Sequence, residues 1–461
     1  MSSDLQFCER CGILWACFKR HYKKIRTLIP VDDCVHSIHL FDAVREVPMQ
    51  RHDNHLYHVK NANLDIPLKP TFLSGRLHII HPHQSGFRNG RCTLDNLLSL
   101  ETDIRLAFLQ KKHLVAIFDI EKAYDRTWSR GILSDLCAFG LRGNLPIFIR
   151  NFLRHRKFRV RVGFEFSDSY IQEEGVPQGS VLSASLFIVK INNILNQLQF
   201  VKGHLYVDDL YISCTGNHIS FIERKLQTAI QKIEHWFDFN GFNFSSSKAS
   251  GVHFCRKRGL HLDPEIEIDG RIIQDENEVR FLGILFDRKL AFLSHVKYLR
   301  KRCERALNIL KVLSNTSWGV DRLSLQLIYR ATILSKLDYG SAIYGSARKR
   351  VLKKLDPIHH SALRLCSGAF RTSPTSSLYV DCYEPPLEIR RQMLSLHYYL
   401  RISSNTRHSC HGFQLRSFLH RLQQARPSSV PTSFTRMHSL MKDFNLHYFS
   451  ANEFPTSLER L

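Results

Sequence analysis

The chain has 461 residues, long enough for about two to four domains and a sizeable core. Its 65 Lys and Arg against 42 Asp and Glu give a formal charge of +23, spread along the chain, which points to a broad polyanion-binding surface. Twelve Cys at this length do not make a disulfide scaffold, and there is neither a signal-peptide core nor a run of about 18 apolar residues, so the chain reads as soluble and intracellular, with reduced thiols and no membrane partner.

Residues 1–75 are His-rich, mixed in charge and without sustained periodicity. Cys8 and Cys11 form a CxxC pair, followed by Cys17 and His21; the second pair is poorly spaced for zinc, so free thiols are the simpler reading. The pattern sharpens from Arg76. Gln84–Arg91 is a Gly-punctuated basic loop, and a helix follows with apolar Leu94, Leu97, Leu98, Leu100, Ile104 and Phe108. Leu114–Ile120 reads as a buried strand with Asp119 at its end, and helical stretches follow at about 130–140 and 146–155.

Lys157–Phe164 alternates strictly. Phe158, Val160, Val162 and Phe164 should face a core, and Lys157, Arg159 and Arg161 should form a cationic face. Gly175–Ser180 is a loop that leads into a helix reaching about Gln199. Leu205–Ser213 has strand composition around Tyr206-Val207-Asp208-Asp209, a hairpin. Ile222, Leu226, Ile230, Ile233 and Phe237 then mark an amphipathic helix that should cover a sheet.

Beyond Lys248 a strand pair reaches Phe281-Leu282-Gly283. From Leu293 to Leu400 the chain reads as mostly helical. In Leu293–Leu313 a stripe of Val296, Leu299, Cys303, Leu307 and Leu310 opposes Lys297, Arg300, Lys301, Arg302 and Arg305, a face suited to phosphates or to solvent. Residues 401–461 are Ser- and His-rich and weakly patterned, and no internal repeat is visible. The order of elements fits an α+β domain with an antiparallel sheet, followed by an α domain.

The chemistry centres on Asp208 and Asp209. Adjacent carboxylates in an apolar segment are costly to bury unless they are paired or hold a metal. A hairpin tip aimed at a cation resolves that cost. If the strand ending in Asp119 lies beside the hairpin, three carboxylates converge. Mg²⁺ suits such a set, because it takes a few carboxylates and completes its shell with water and phosphate. A pair of such ions can hold the attacking and leaving oxygens of a phosphoryl displacement. Tyr-x-Asp-Asp alone is weak evidence, since an exposed acidic turn would read the same way.

Its companions carry a resemblance. Asp119 with Tyr124, Gly175-Val176-Pro177-Gln178-Gly179-Ser180 and Tyr206-Val207-Asp208-Asp209 resemble motifs A, B and C of reverse transcriptases, in order and in spacing. Lys248 resembles motif D, and Phe281-Leu282-Gly283 resembles motif E, the primer grip. Gln84–Asn96 looks like the fingers signature of non-LTR, jockey-like retrotransposon enzymes. Trp318–Arg322, Ser335–Gly345, Ala362–Pro374 and Glu384–Arg391 look like their downstream helical region.

The resemblance implies a right-hand polymerase: an unmatched segment over 1–75, fingers and palm over 76–285, a helical thumb and downstream region over 286–400, and a tail over 401–461. It implies RNA-directed DNA polymerase activity on an RNA template, a DNA primer and deoxynucleoside triphosphates, with two Mg²⁺ ions or Mn²⁺ in their place. Asp119, Asp208 and Asp209 would hold the metals, with the carbonyl of Ile120 completing one shell. Tyr124 would be the steric gate against a ribose 2′-hydroxyl. Gln178 and Gly179 would line the nucleotide pocket, and Lys248 would donate a proton to pyrophosphate. Arg88 and Arg91 would contact template phosphates, and Phe281, Leu282 and Gly283 would grip the primer.

The family's upstream Arg-Pro-Ile-Ser-Leu fingers motif is not reproduced in residues 1–75, where Ile66-Pro67-Leu68 comes nearest. Patterns of an endonuclease or an RNase H domain are also missing, so the resemblance implies a core truncated on its N-terminal side. A catalytically silent nucleic-acid-binding remnant stays open beside the polymerase. An RNA-dependent RNA polymerase shares the palm logic, but Tyr124 argues against it.

Overall fold

The structure is a computed structural model that describes residues 80–118, 124, 127–242, 249–256, 263–315, 317–406, 408, 410–411, 415–444 and 446. All of them belong to one compact unit, Pro70–Leu461.

A four-stranded antiparallel sheet organises the fold. Its strands are β1 (His113–Phe118), β6 (Lys202–Tyr206), β7 (Asp209–Gly216) and β8 (Ser250–Phe254), in the order β6-β7-β1-β8. All six residues of β1 are buried, which accounts for its unbroken apolar run. Alternate residues serve different cores. Leu114, Ala116 and Phe118 pack with Tyr211, Val252 and Phe254 against α1 (Thr93–Gln110). Val115 and Ile117 pack with Ile212 on the other side. That side is covered by α2 (Ser129–Ala138), α3 (Asn144–Leu153), α4 (Val181–Ile191) and α5 (Ile219–Asn240). The stripe Ile222, Leu226, Ile230, Ile233 and Phe237 on α5 is buried as its period predicts, and Gly241 ends the helix in the left-handed region.

The segment 157–164 departs from its predicted form. It is not one strand with a core face. Gly163, at φ +65°, turns the chain back on itself. β2 (Arg156–Phe158) pairs with β5 (Tyr170–Gln172), and β3 (Arg161–Val162) pairs with β4 (Glu165–Phe166). Phe158, Val160, Val162 and Phe164 are exposed, Phe164 at 93%. Strict alternation predicts a strand, but only a covering layer makes one face a core. Here the rings meet local partners: Phe158 packs on Tyr170 at 5.8 Å, and Arg161 lies over Phe166.

β9 (Glu267–Ile268) pairs with β10 (Arg271–Ile272), and β11 (Glu278–Phe281) pairs with β12 (Ile284–Asp287). The helical region opens with α6 (Leu293–Leu313), where Val296, Leu299, Cys303, Leu307 and Leu310 are buried and Lys297, Arg300, Lys301, Arg302 and Arg305 are exposed. α7 (Arg322–Tyr329), α8 (Asp356–Ser367) and α9 (Leu387–Ser403) follow.

Residues 401–461, read as a weakly patterned tail, contain α10 (Ser417–Gln424) and α11 (Ser433–Asp443). Polar anchors hold this region on α1, beside the buried Phe434, Met437 and Met441 of α11. Buried Glu101 accepts hydrogen bonds from Ser433 Oγ at 2.9 Å and Arg436 Nη1 at 3.0 Å, and pairs with Arg105 at 3.1 Å. Burial pushes the Glu101 carboxyl up, but Arg436 and Arg105 outweigh it and hold the group below its ordinary range. Buried Asp95 accepts from Tyr398 Oη at 2.7 Å and contacts His408 Nε2 at 3.2 Å. Among the described residues, no helix is long and apolar enough to cross a membrane.

Candidate active site

β6 and β7 meet at Tyr206↔Asp209, leaving Val207 and Asp208 as a two-residue turn. Val207 stands at φ +61°, in a position where such turns favour glycine. A β-branched residue there carries strain of about 1–3 kcal/mol and persists only if its surroundings hold it. The loop before α1 supplies that hold. Fully buried Gln84 accepts from Val207 N at 3.1 Å through Oε1 and donates to Val207 O at 3.3 Å through Nε2. The same Oε1 accepts from Gly86 N at 2.8 Å. Backbone bonds of 3.0 Å from Ser85 N to Leu205 O and from Leu205 N to His83 O extend the pairing. Gly86 has to be glycine, because a Cβ would come within 2.6 Å of the Val207 backbone nitrogen. The Gln84-Ser85-Gly86 loop was legible as a loop. Its role as a clamp was not, because one amide side chain leaves no periodic signal.

The turn presents Asp208 half-buried and Asp209 exposed. Burial raises the Asp208 carboxyl above its ordinary value. Half-buried Tyr124 stacks on Phe187, centroids 4.2 Å apart, and its hydroxyl is raised by burial and by the charge of Asp208. The backbone ties this segment to the Gly175–Ser180 loop: Val176 N donates to Tyr124 O at 3.0 Å, and Gly175 N to Thr127 O at 2.9 Å.

A cavity of about 510 Å³ opens here, lined by Phe87, Tyr124, Gln178, Gly179, Ser180 and Ser183, among others. Gly179 stands at φ +94°, and nothing lies within 4 Å of where its Cβ would sit, so a bound molecule can approach the backbone closely. Sequence reading missed Phe87, which belongs to the basic loop, and Ser183, whose buried Oγ has no partner among the described residues.

The structure therefore brings Tyr124, Gln178 and Gly179 to one cavity, with the charge of Asp208 acting on Tyr124. Asp119, Ile120 and Lys248 lie outside the described residues. β1 ends at Phe118, paired with Tyr211 of β7. Two of the predicted nucleic-acid contacts have partners within the protein. Arg88 Nη1 donates to His81 O and Gln84 O, both at 3.0 Å, so it braces its own loop. Phe281 is buried against Phe118 and Tyr211, each at 5.2 Å, so its ring belongs to the core. Leu282 and Gly283 do form a turn, at φ +42° and +83°, and the Tyr339 hydroxyl donates to Leu282 O at 2.7 Å. Arg91 is half-buried at the end of the basic loop.

A family model described as "Reverse transcriptase (RNA-dependent DNA polymerase)" matches residues 52–286. The chain belongs to the reverse transcriptase family. The match starts upstream of Arg76 and covers Ile66-Pro67-Leu68, which lie outside the described residues.

Curated relatives of this chain come from mobile elements. The "Probable RNA-directed DNA polymerase from transposon BS" of Drosophila melanogaster is 27% identical over 62% of this chain and 32% of its own length. The "RNA-directed DNA polymerase from mobile element jockey" of the same species is 27% identical over 69% of this chain and 36% of its own length. The chain thus spans about a third of the length of these curated relatives. Among solved structures, a telomerase from Candida tropicalis overlaps 83% of this chain and 57% of its own, at 11% identity and a TM-score of 0.38, a likeness too distant to inform function.

Proposed function

We propose that the chain is an RNA-directed DNA polymerase that extends a DNA primer on an RNA template with deoxynucleoside triphosphates. One observation carries this reading: Tyr124, Gln178 and Gly179, which come from separate motifs, line one cavity, and Asp208 acts on Tyr124 from the catalytic turn. In this reading 76–285 serves as fingers and palm and 286–400 as thumb and downstream region, and α11 in the tail over 401–461 braces α1.

The donor set fits a hard divalent cation of the Mg²⁺ class, because Asp208 and Asp209 offer carboxylate oxygens at an open turn. With Asp119 and the carbonyl of Ile120 they would hold two such ions, which lower the pKa of a primer 3′-hydroxyl and brace the triphosphate. Mn²⁺ meets the same demands. The Tyr124 ring, fixed against Phe187, occupies the space of a ribose 2′-hydroxyl. Gln178 and Gly179 border the nucleotide, and Lys248 protonates departing pyrophosphate. Arg91 and the exposed bases of α6 meet nucleic-acid phosphates.

Primer extension on an RNA template, with each nucleotide class and with Mg²⁺, tests the reading. Deoxynucleotide incorporation is expected. Asp208→Ala should reduce it by about a thousandfold or more, the scale of several kcal/mol of transition-state stabilisation, while primer–template binding persists. Tyr124→Ala should admit ribonucleotides. Salt-sensitive template binding without extension would sink the polymerase reading in favour of a silent binding protein.

A further inference from the structure

A buried cluster lies at the other end of the central sheet. His113 begins β1, and β8 pairs with β1 through Leu114↔Phe254 and Val115↔His253. The next step of this antiparallel register sets Cys255 opposite His113. Paired residues share a face, and so do residues two apart along a strand, so His113, His253 and Cys255 point to the same side of the sheet. They are 4%, 0% and 5% exposed. One donor atom from each lies within 4.8 Å of the others, and the rings meet at 2.9 Å between His113 Nδ1 and His253 Nε2.

From this convergence we propose that His113, His253 and Cys255 form a second metal site, for a borderline transition-metal ion of the Zn²⁺ class, that staples β1 to β8. The donor types suit it, since thiolate and imidazole select such ions over Mg²⁺. The geometry is near. Tetrahedral zinc with Zn–N of about 2.0–2.1 Å and Zn–S of about 2.3 Å sets donor atoms roughly 3.3–3.6 Å apart, so closure needs shifts of about an ångström.

A further contact supports the assignment. Asp263 Oδ1 lies 2.8 Å from His253 Nδ1. A carboxylate there fixes the proton on Nδ1 and turns the Nε2 lone pair inward, the usual outer partner of a metal-bound histidine. Arg288 Nη2, 2.6 Å from Asp263, holds that carboxylate in turn. Three protein donors leave one coordination position for water or another small ligand. The site is separate from the catalytic turn. Residue 113 starts the strand that ends at Phe118, and six extended residues place the two ends about 17 Å apart.

The test uses the full chain with Cys8→Ser and Cys11→Ser, which removes the N-terminal CxxC as a competing ligand pair. After dialysis, elemental analysis should find about one equivalent of zinc. Co²⁺ loading should give a thiolate-to-cobalt charge-transfer band. Cys255→Ser should abolish the band, and Asp263→Asn should weaken metal affinity by about 10–100-fold. Asp208→Asn should leave the band intact. The proposal is overturned if the folded protein, checked by circular dichroism, takes up no stoichiometric metal. It is equally overturned if the band survives Cys255→Ser or vanishes with Asp208→Asn.

Discussion

Two buried side chains near the start of the fold tie distant segments together with different chemistry. Gln84 holds the Val207–Asp208 turn through a neutral amide, and Glu101 holds α11 through a carboxylate paired with Arg105 and Arg436. Both are fully buried. Close to Asp208 and Asp209, an ionised clamp would repel the carboxylates it positions or compete for their cation. An amide pairs with a backbone N–H and C=O as another strand would, and adds no charge. At α1, well removed from that turn in the sequence, an ionic latch carries no such penalty. It does carry a pH dependence.

The sharpest way to separate the two ties is to break the ionic one. Glu101→Gln leaves Arg105 and Arg436 without their counter-charge, a loss of about 3–5 kcal/mol on the scale of broken buried pairs. The sign with pH is fixed by the lowered carboxyl. A depressed acid contributes stability above its unfolded value, near 4.5, and loses it as pH falls through the folded value. Denaturant unfolding of wild type and Glu101→Gln should therefore differ most near neutral pH and converge below about pH 4.5. A gap that stays constant with pH would mean that Glu101 acts by packing alone.

Breaking the neutral tie should cost less stability and more activity. Gln84→Ala leaves Val207 N and O without partners, about 1–3 kcal/mol with little dependence on pH. Released from its clamp, the strained turn should misplace Asp208, so single-turnover incorporation should fall by about tenfold or more while primer–template affinity holds. Gln84→Glu tests the charge argument. If it matches wild type in rate, the need for a neutral clamp is refuted.

A smaller effect probes the strain itself. In the wild-type background Val207→Gly relieves the strain of φ +61° but removes a buried side chain, so the two effects should nearly cancel. In a Gln84→Ala background, where the released turn can relax, glycine relieves less strain and the same change should cost about 1 kcal/mol more. Equal effects in both backgrounds would show that Gln84 and Val207 are energetically independent.

The contrast also explains what could be read from residue order. The palm strands, the α5 stripe and the α6 stripe were legible because burial repeats with the period of the element. Tyr124, Gln178 and Gly179 were legible through motif spacing, and the cavity brings them together. Gln84, Gly86 and Glu101 were not, since what each holds lies more than a hundred residues away in the chain. Phe281 shows a different limit of motif reading. Its motif marked the right hairpin, but β-alternation turns the ring into the core and leaves the turn to Leu282 and Gly283. The single strand expected over 157–164 erred because alternation describes a strand without saying what covers it.

The smallest effect belongs to a third tie, Tyr339, which joins the helical region to the Leu282–Gly283 turn. Its hydroxyl donates to Leu282 O at 2.7 Å and lies 3.2 Å from Thr93 Oγ1. The bond resembles Gln84 to Val207 in being neutral and backbone-directed. Tyr339, however, is 43% exposed, so water can take over the carbonyl when the hydroxyl is removed. Tyr339→Phe keeps the ring that packs on Gly283 and should cost no more than about 1 kcal/mol, a thermal shift of about 2 °C or less. If the turn helps to hold a primer, the change should raise the apparent KM for primer–template and leave the nucleotide KM unchanged. A stability loss as large as that of Gln84→Ala would break the comparison, because it would show that burial does not set the strength of these ties.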